Sequence, residues 1–157
     1  METAFIKTPL GVAKLQGDEN GLTDISILDG DEKLTDIIPE VLEDAVYQLI
    51  EYFEGSRKQF SLQLNPLGTK FQKNVWQALE QIPYGKTTSY LELSKTLGDP
   101  KAIRAVASAN GRNPLWIVIP CHRVLGSDGS LTGYAGGLSR KKWLLEHESP
   151  AKQQSLF

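Results

Sequence analysis

The sequence predicts an α/β chain of the α+β kind: a small N-terminal sheet with one helix, then a mainly helical C-terminal part that contains a helix-turn-helix pair. Three observations predict it. Alternating apolar and polar residues mark residues 11–28 and 59–64 as strands. From residue 65 the apolar spacing turns helical, and capping boxes sign two helix starts. Two short helical stretches then flank a glycine-containing turn.

Taken in order, GVAKLQ and LTDISIL flank Asp18-Glu19-Asn20-Gly21, and Asn-Gly is a strong tight-turn signal, so residues 11–28 read as a hairpin. A helix is expected from about Pro39 to Glu54, with Pro39 in its first turn and Gly55 just past its end. Val41, Ala45 and Leu49 form one apolar row, with Leu42, Val46, Ile50 and Phe53 beside it. Gln59–Leu64 alternates strictly, as a third strand would.

Thr69-Lys70-Phe71-Gln72 opens the next helix, with Phe71, Val75, Trp76 and Leu79 as its inner stripe and Ile82-Pro83 as its end. Ser89-Tyr90-Leu91-Glu92 opens another, which runs to about Leu97 and stops at Gly98. Asp99-Pro100 reads as the cap and first residue of a third, ending near Gly111. In that helix Ile103, Val106 and Ala107 can face inward, Ala102, Ala105, Ser108 and Ala109 are small, and Arg104 projects. Such a slim helix suits either entry into a DNA groove or close packing on another helix. Leu115–Ile119 is an apolar run of strand length, ended by Pro120.

At 157 residues the chain suits one domain or one domain with a small lobe, and the change of character divides it into residues 1–65, 66–149 and a flexible tail at 150–157. A 40% hydrophobic share argues against disorder, and no apolar run approaches a membrane span. METAFIKTPLG lacks a basic stretch followed by an apolar core, so no secretory signal is visible. One cysteine excludes an internal disulfide framework and a multi-cysteine zinc site. A soluble, reducing, cytoplasmic setting is the expectation. The net charge of −2 hides an asymmetry: 5 Lys/Arg against 13 Asp/Glu in residues 1–65, but 11 against 6 in residues 66–149. Either the basic part meets a polyanion or the two surfaces are simply solvated differently.

Cys121, the only cysteine, follows the apolar run, and His122 stands next to it. A thiol acts as a nucleophile only as thiolate, and a base can take its proton. The residues alone leave two readings open, a catalytic thiol or an inert buried one.

Ile119-Pro120-Cys121-His122-Arg123-Val124 carries the PCHRV signature of the alkylated-DNA–protein-cysteine alkyltransferases, and the chain resembles that family from residue 66 to 149. The matching blocks include Gly68–Gln72, Ile82–Tyr90, Arg104-Ala105-Val106, Asn113-Pro114, Gly133–Gly137 and Trp143–Glu148, in the family's order. Residues 1–65 resemble its ribonuclease-H-like lobe in outline. The resemblance implies DNA repair by irreversible, single-turnover transfer of an alkyl group from O6-alkylguanine, and from O4-alkylthymine, in duplex DNA.

By the same resemblance Cys121 is the acceptor, His122 takes its proton through a water, Glu148 orients His122, and Asn113 braces the turn. Tyr90 helps rotate the nucleotide out and hydrogen-bonds N3 of the departing guanine. Arg104 fills the space left by the flipped base, with the helix-turn-helix in the minor groove. Gly133–Gly137, including Tyr134, Ala135 and Gly136, lines the base pocket: the Ala135 amide bonds O6, and the carbonyls of Val124 and Cys121 bond the exocyclic amine. His147 also matches the family but is as readily a helix-end cation.

Ala135 stands where some relatives have serine, which puts acceptance of bulky alkyl groups in doubt. Some relatives hold zinc in the N-terminal lobe, but no Cys or His precedes residue 121 here, so no metal and no cofactor are expected. The expected partner is double-stranded DNA carrying alkylated bases, met by a monomer, with no membrane. Gln153-Gln154-Ser155-Leu156-Phe157 resembles peptides that bind the bacterial sliding clamp, and is equally a frayed tail. Two rival classes remain: a non-catalytic module (an alkyltransferase-like damage sensor, which lacks the cysteine, or a helix-turn-helix regulator), and a cysteine hydrolase, which would turn over.

Overall fold

A computed structural model describes residues 1–126, 129, 134 and 137–149. The chain divides into two compact units, Met1–Leu67 with Pro114–Trp116, and Gly68–Asn113 with Ile117–Phe157.

The first unit is a three-stranded antiparallel sheet in the order β1 (Glu2–Thr8), β2 (Gly11–Asp18), β3 (Gly21–Leu28). The β2–β3 hairpin turns at the Asn-Gly pair, where Gly21 has φ 126°. Alternation buries Ala4, Ile6, Ala13 and Leu15, and a shift of register at Gln16/Gly17 lets Leu22, Thr23 and Ile25 all be buried in β3. A turn of 3-10 helix at Glu40–Leu42 leads into α1 (Glu43–Glu54), and Gly55 closes α1 at φ 86°, a left-handed cap. Leu42, Ala45, Val46, Leu49 and Tyr52 are buried, whereas Val41 and Ile50, expected in the apolar stripe, are exposed. Tyr52 takes up part of that face, packed edge-on against Phe53.

The third strand is not Gln59–Leu64 but Glu2–Thr8. Gln59–Leu64 touches the sheet only around Leu64, through Leu22 N donating to Gln63 O (2.9 Å) and Asn65 N donating to Leu22 O (2.7 Å). Its alternation has another use: Ser61 N donates to Gln48 Oε1 (2.9 Å), so a helix side chain takes a bond that a strand partner would otherwise take.

In the second unit, α2 (Lys70–Glu80) starts with the expected capping box: Thr69 Oγ1 accepts from Gln72 N (3.1 Å), and Gln72 Oε1 accepts from Thr69 N (2.9 Å). Val75, Trp76 and Leu79 are buried, but Phe71, at the first turn, is exposed. Trp76 is fixed at both ends. Its Nε1 donates to Ala109 O (2.8 Å), and Gly68 lies so close to the indole that a Cβ there would stand 2.5 Å from the ring.

A two-residue strand, β4 (Thr88–Ser89), precedes α3 (Tyr90–Thr96), which Ser89 caps by accepting from Glu92 N. Gly98 turns the chain at φ 90°. The next helix, α4, spans Ile103–Gly111, so it begins three residues after Pro100. Asp99 caps a turn instead: its Oδ1 accepts from Lys101 N and its carbonyl from Ala102 N. Val106 and Ala109 are buried, as is Asn110, whereas Ile103 is exposed. Arg104, Ala105 and Ser108 lie on the exposed face.

Leu115–Ile119 is buried, as expected, but it is a turn rather than a strand. Only Leu115 bridges a strand, at Ile25, and Ile117 has φ 71°, uncommon for a β-branched residue. A 3-10 turn at Cys121–Arg123, β5 (Val124–Leu125) and α5 (Leu138–Glu148) complete the unit. β5 pairs in parallel with β4, Thr88 with Val124 and Ser89 with Leu125. That pairing brings the start of α3 beside the segment following Cys121.

Candidate active site

Cys121 opens the 3-10 turn, with its backbone N donating to Ile119 O at 2.8 Å. The same carbonyl accepts from Asn113 Nδ2 (2.7 Å). Asn113 therefore ties the second residue after α4 to the residue two before the cysteine, and its side chain also hydrogen-bonds Cys121. Cys121 is 5% exposed. Burial pushes its thiol up from the ordinary range, against the pull of Asn113, Lys141 and Tyr134. The resting group is a thiol, and a base is needed to make it react at neutral pH.

His122 is fully buried, and its Nε2 lies 2.7 Å from Glu148 Oε2. A carboxylate can only accept, so Nε2 carries the proton and Nδ1 keeps its lone pair. Nδ1 has no hydrogen-bond partner among the described residues. Burial lowers the imidazole's affinity for a second proton, with Glu148 opposing, so the ring is held neutral below the usual histidine range.

Glu148, the last residue of α5, is buried too. Burial works against its charge, but His122 and Arg123 outweigh that and hold the carboxyl far below the usual range. Arg123 grips it with two bonds, Nε to Oε1 (2.7 Å) and Nη2 to Oε2 (3.1 Å). Its Nη1 donates to Ile82 O (2.7 Å), and Tyr84 lies beneath the guanidinium at 5.7 Å.

Two charged groups of this cluster carry no sequence signal that singles them out. Arg123 reads as part of a motif, without a role. Lys141 reads as a solvated helix lysine among Arg140 and Lys142, yet it is fully buried. Its Nζ donates to Val124 O at 2.7 Å, and burial lowers its pKa while the neighbouring Cys121 raises it. Only the burial of one face of α5 could have found it.

Of the other expected residues, Tyr90 opens α3, and its Oη accepts from Asn110 Nδ2 (3.3 Å). Arg104 is exposed near the start of α4. The carbonyl of Val124 accepts from Lys141 Nζ, and that of Cys121 accepts from Val124 N. Tyr134 is half-buried. Ala135, Gly136 and the tail Gln153–Phe157 lie outside the described residues. His147 stacks on Trp143 (4.9 Å between ring centres), and its carbonyl accepts from Tyr84 Oη (3.4 Å). Among the described residues no group of three or more His, Cys, Asp or Glu is placed to hold a metal ion.

A buried thiol, an imidazole with one committed nitrogen and a carboxylate clamped by arginine define a thiol-nucleophile site in a unit that also holds a short helix pair. Residues 70–150 match the DNA-binding domain of 6-O-methylguanine DNA methyltransferase, and residues 1–66 match its ribonuclease-like domain. The chain is 46% identical over 155 residues to the methylated-DNA–protein-cysteine methyltransferase of Methanosarcina acetivorans, covering 94% of this chain and 98% of that one. It is 43% identical over 158 residues to that of Mycolicibacterium paratuberculosis, covering 96% of each. A crystal structure of Mycobacterium tuberculosis OGT in complex with DNA superposes with a TM-score of 0.85 at 42% identity, over the full length of both. The chain belongs to the methylated-DNA–protein-cysteine methyltransferase family.

Proposed function

We propose that this chain repairs alkylated DNA by direct reversal, taking the alkyl group of O6-alkylguanine, and of O4-alkylthymine, onto Cys121. Residues 66–149 are the DNA-binding alkyltransferase domain and residues 1–65 the ribonuclease-H-like lobe. The observation that carries the reading is the state of His122. One ring nitrogen is bound to a clamped carboxylate, and the other, in the residue next to the thiol, has no hydrogen-bond partner among the described residues.

The proton of Cys121 passes through a water to His122 Nδ1, and Glu148 offsets the imidazolium charge. The sulfur attacks the alkyl carbon. An S–C bond forms, the C–O6 bond breaks, and the electron pair leaves with the purine. Tyr90 donates a hydrogen bond to guanine N3 as that charge grows, and the purine regains the proton that the thiol gave up. Asn113 holds the turn, so the sulfur's direction is fixed. The thioether is stable, so each chain acts once, with no cofactor.

The alkyl group of a paired guanine lies inside the duplex, so the base must first leave the stack. Arg104 fills the vacated space, a role supported by its exposure on α4 beside the small Ala105 and Ser108. Val124, Tyr134, Ala135 and Gly136 form the pocket's contacts to the base. No helix among the described residues is long and apolar enough to cross a membrane. We place the chain in the cytoplasm, where a lone acceptor thiol stays reduced, and as a monomer, one thiol being one repair event.

Replacing Cys121 by alanine abolishes transfer from a duplex carrying O6-methylguanine and leaves DNA binding intact; loss of binding counts against these roles. The tail Gln153–Phe157 is proposed as a sliding-clamp peptide, with Leu156 and Phe157 as apolar anchors. Deleting residues 153–157 is expected to remove clamp binding; unchanged binding, or none at the start, rejects the proposal.

A further inference from the structure

Asn110 lies in α4, and the reaction as set out above gives it nothing to do. It is 2% exposed. Its Nδ2 donates to Tyr90 Oη at 3.3 Å, while its Oδ1 has no partner among the described residues. Burying half an amide unmatched is costly, and packing alone does not require it, since a leucine fills a similar volume. The amide instead meets the one phenol that the proposed chemistry uses.

The direction of that bond decides its effect. A phenol has one proton to give and two lone pairs that accept. A bond donated into the oxygen occupies a lone pair and does not use the phenol's own proton. It also draws electron density from the oxygen, which strengthens the O–H as a donor. Tyr90 itself is steadied at its backbone, where its carbonyl accepts from the Ser94 hydroxyl (2.8 Å).

We infer that Asn110 is a positioning residue for alkyl transfer: by donating into Tyr90 Oη it turns the phenol proton toward N3 of the departing purine. The inference deepens the proposed function and rests on the role given there to Tyr90. The recognition helix then does more than present Arg104. Its buried end sets the hydrogen-bonding sense of the group that receives the leaving charge.

The test compares single-turnover transfer rates on two duplexes, one carrying O6-methylguanine and one carrying its 3-deaza analogue, in which a C–H replaces N3. The wild-type chain transfers faster from the first. Asn110→Leu is expected to narrow that ratio roughly 5- to 10-fold, the worth of one hydrogen bond. Asn110→Asp, nearly isosteric, offers an acceptor that captures the phenol proton, and narrows the ratio further. In a Tyr90→Phe background, Asn110→Asp adds no further loss.

A packing role lowers both rates together and leaves the ratio unchanged, which overturns the inference, as does an unchanged rate on both duplexes. Should Asn110→Leu fail to fold, the ratio for Asn110→Asp decides alone. Failure of the underlying reading looks different, because the wild-type chain then transfers from neither duplex.

Discussion

Nε2 of His122 and Oε2 of Glu148 stand 2.7 Å apart with both side chains out of solvent, and Arg123 holds the other face of the carboxylate. The arrangement fixes which nitrogen of the ring carries the proton. It also makes Glu148 the shared partner of two buried cations, or of one cation and one imidazole in the resting state.

Glu148→Gln leaves the Arg123 guanidinium buried without its counter-charge. Breaking such a pair costs about 3–5 kcal/mol. Unfolding by urea should show a loss of unfolding free energy of that size, and the transfer rate should fall because His122 loses its orienting acceptor. A stability change within 0.5 kcal/mol, the range of an ordinary surface substitution, contradicts the assigned clamp.

The pH dependence has a definite sign. His122 takes its proton below the ordinary range and Cys121 gives its proton up above it. Between those limits, thiol with imidazole and thiolate with imidazolium hold the same number of protons, so the transfer rate is flat with pH. It falls only on the acid side, and the lowered affinity of His122 puts that limit below the ordinary histidine value of about 6.5. A thiolate formed without His122 gives instead a rate that climbs about tenfold per pH unit through neutrality.

Stability follows the same groups. The unfolded chain protonates its histidine before the folded chain does, so His122 subtracts stability as pH falls from about 6.5. Glu148, held low in the fold, contributes stability above about pH 4.3 that is lost on further acidification. Chemical denaturation between pH 8 and 3 should therefore show a decline that steepens below pH 5; constant stability through that window rejects both assignments.

Lys141→Met removes a buried donor from the Val124 carbonyl and a positive charge from beside the thiol. An unmatched buried carbonyl costs about 1–3 kcal/mol. The thiol should titrate higher, which moves the alkaline limit of the pH–rate plateau upward. A variant with unaltered plateau and unaltered melting shows that the amine does neither.

Arg104→Ala should leave stability within about 0.5 kcal/mol of wild type, because the side chain is exposed. Transfer from duplex DNA should slow by an order of magnitude or more, since unstacking costs a few kcal/mol. Transfer from the free base O6-methylguanine should not slow. Equal slowing of both places Arg104 outside the extrusion step.

Legibility of the fold tracked how local its causes are. The Thr69–Gln72 box, the Asn-Gly turn and the Gly55 cap are set by neighbours in sequence, and each stands where its residues predict. Gln59–Leu64 and Leu115–Ile119 have strand-like patterns but not strand structure. In the first, Gln48 claims a backbone donor; in the second, Ile117 takes a left-handed conformation that no preference of isoleucine announces. Glu2–Thr8 alternates as cleanly as β2, with Ala4, Ile6 and Thr8 on the buried face.

At the site, Cys121, His122, Asn113 and Glu148 were legible through their motifs. Lys141 and Asn110 were not, because their significance lies in which buried atoms they reach from other helices.

Intact-mass measurement after mixing the chain with a duplex carrying one O6-methylguanine tests the central claim most directly. The account predicts a single added CH2 located on the Cys121 peptide, with one lesion removed per chain and none thereafter. DNA restored to guanine while Cys121 stays unmodified, or several lesions removed per chain, contradicts it.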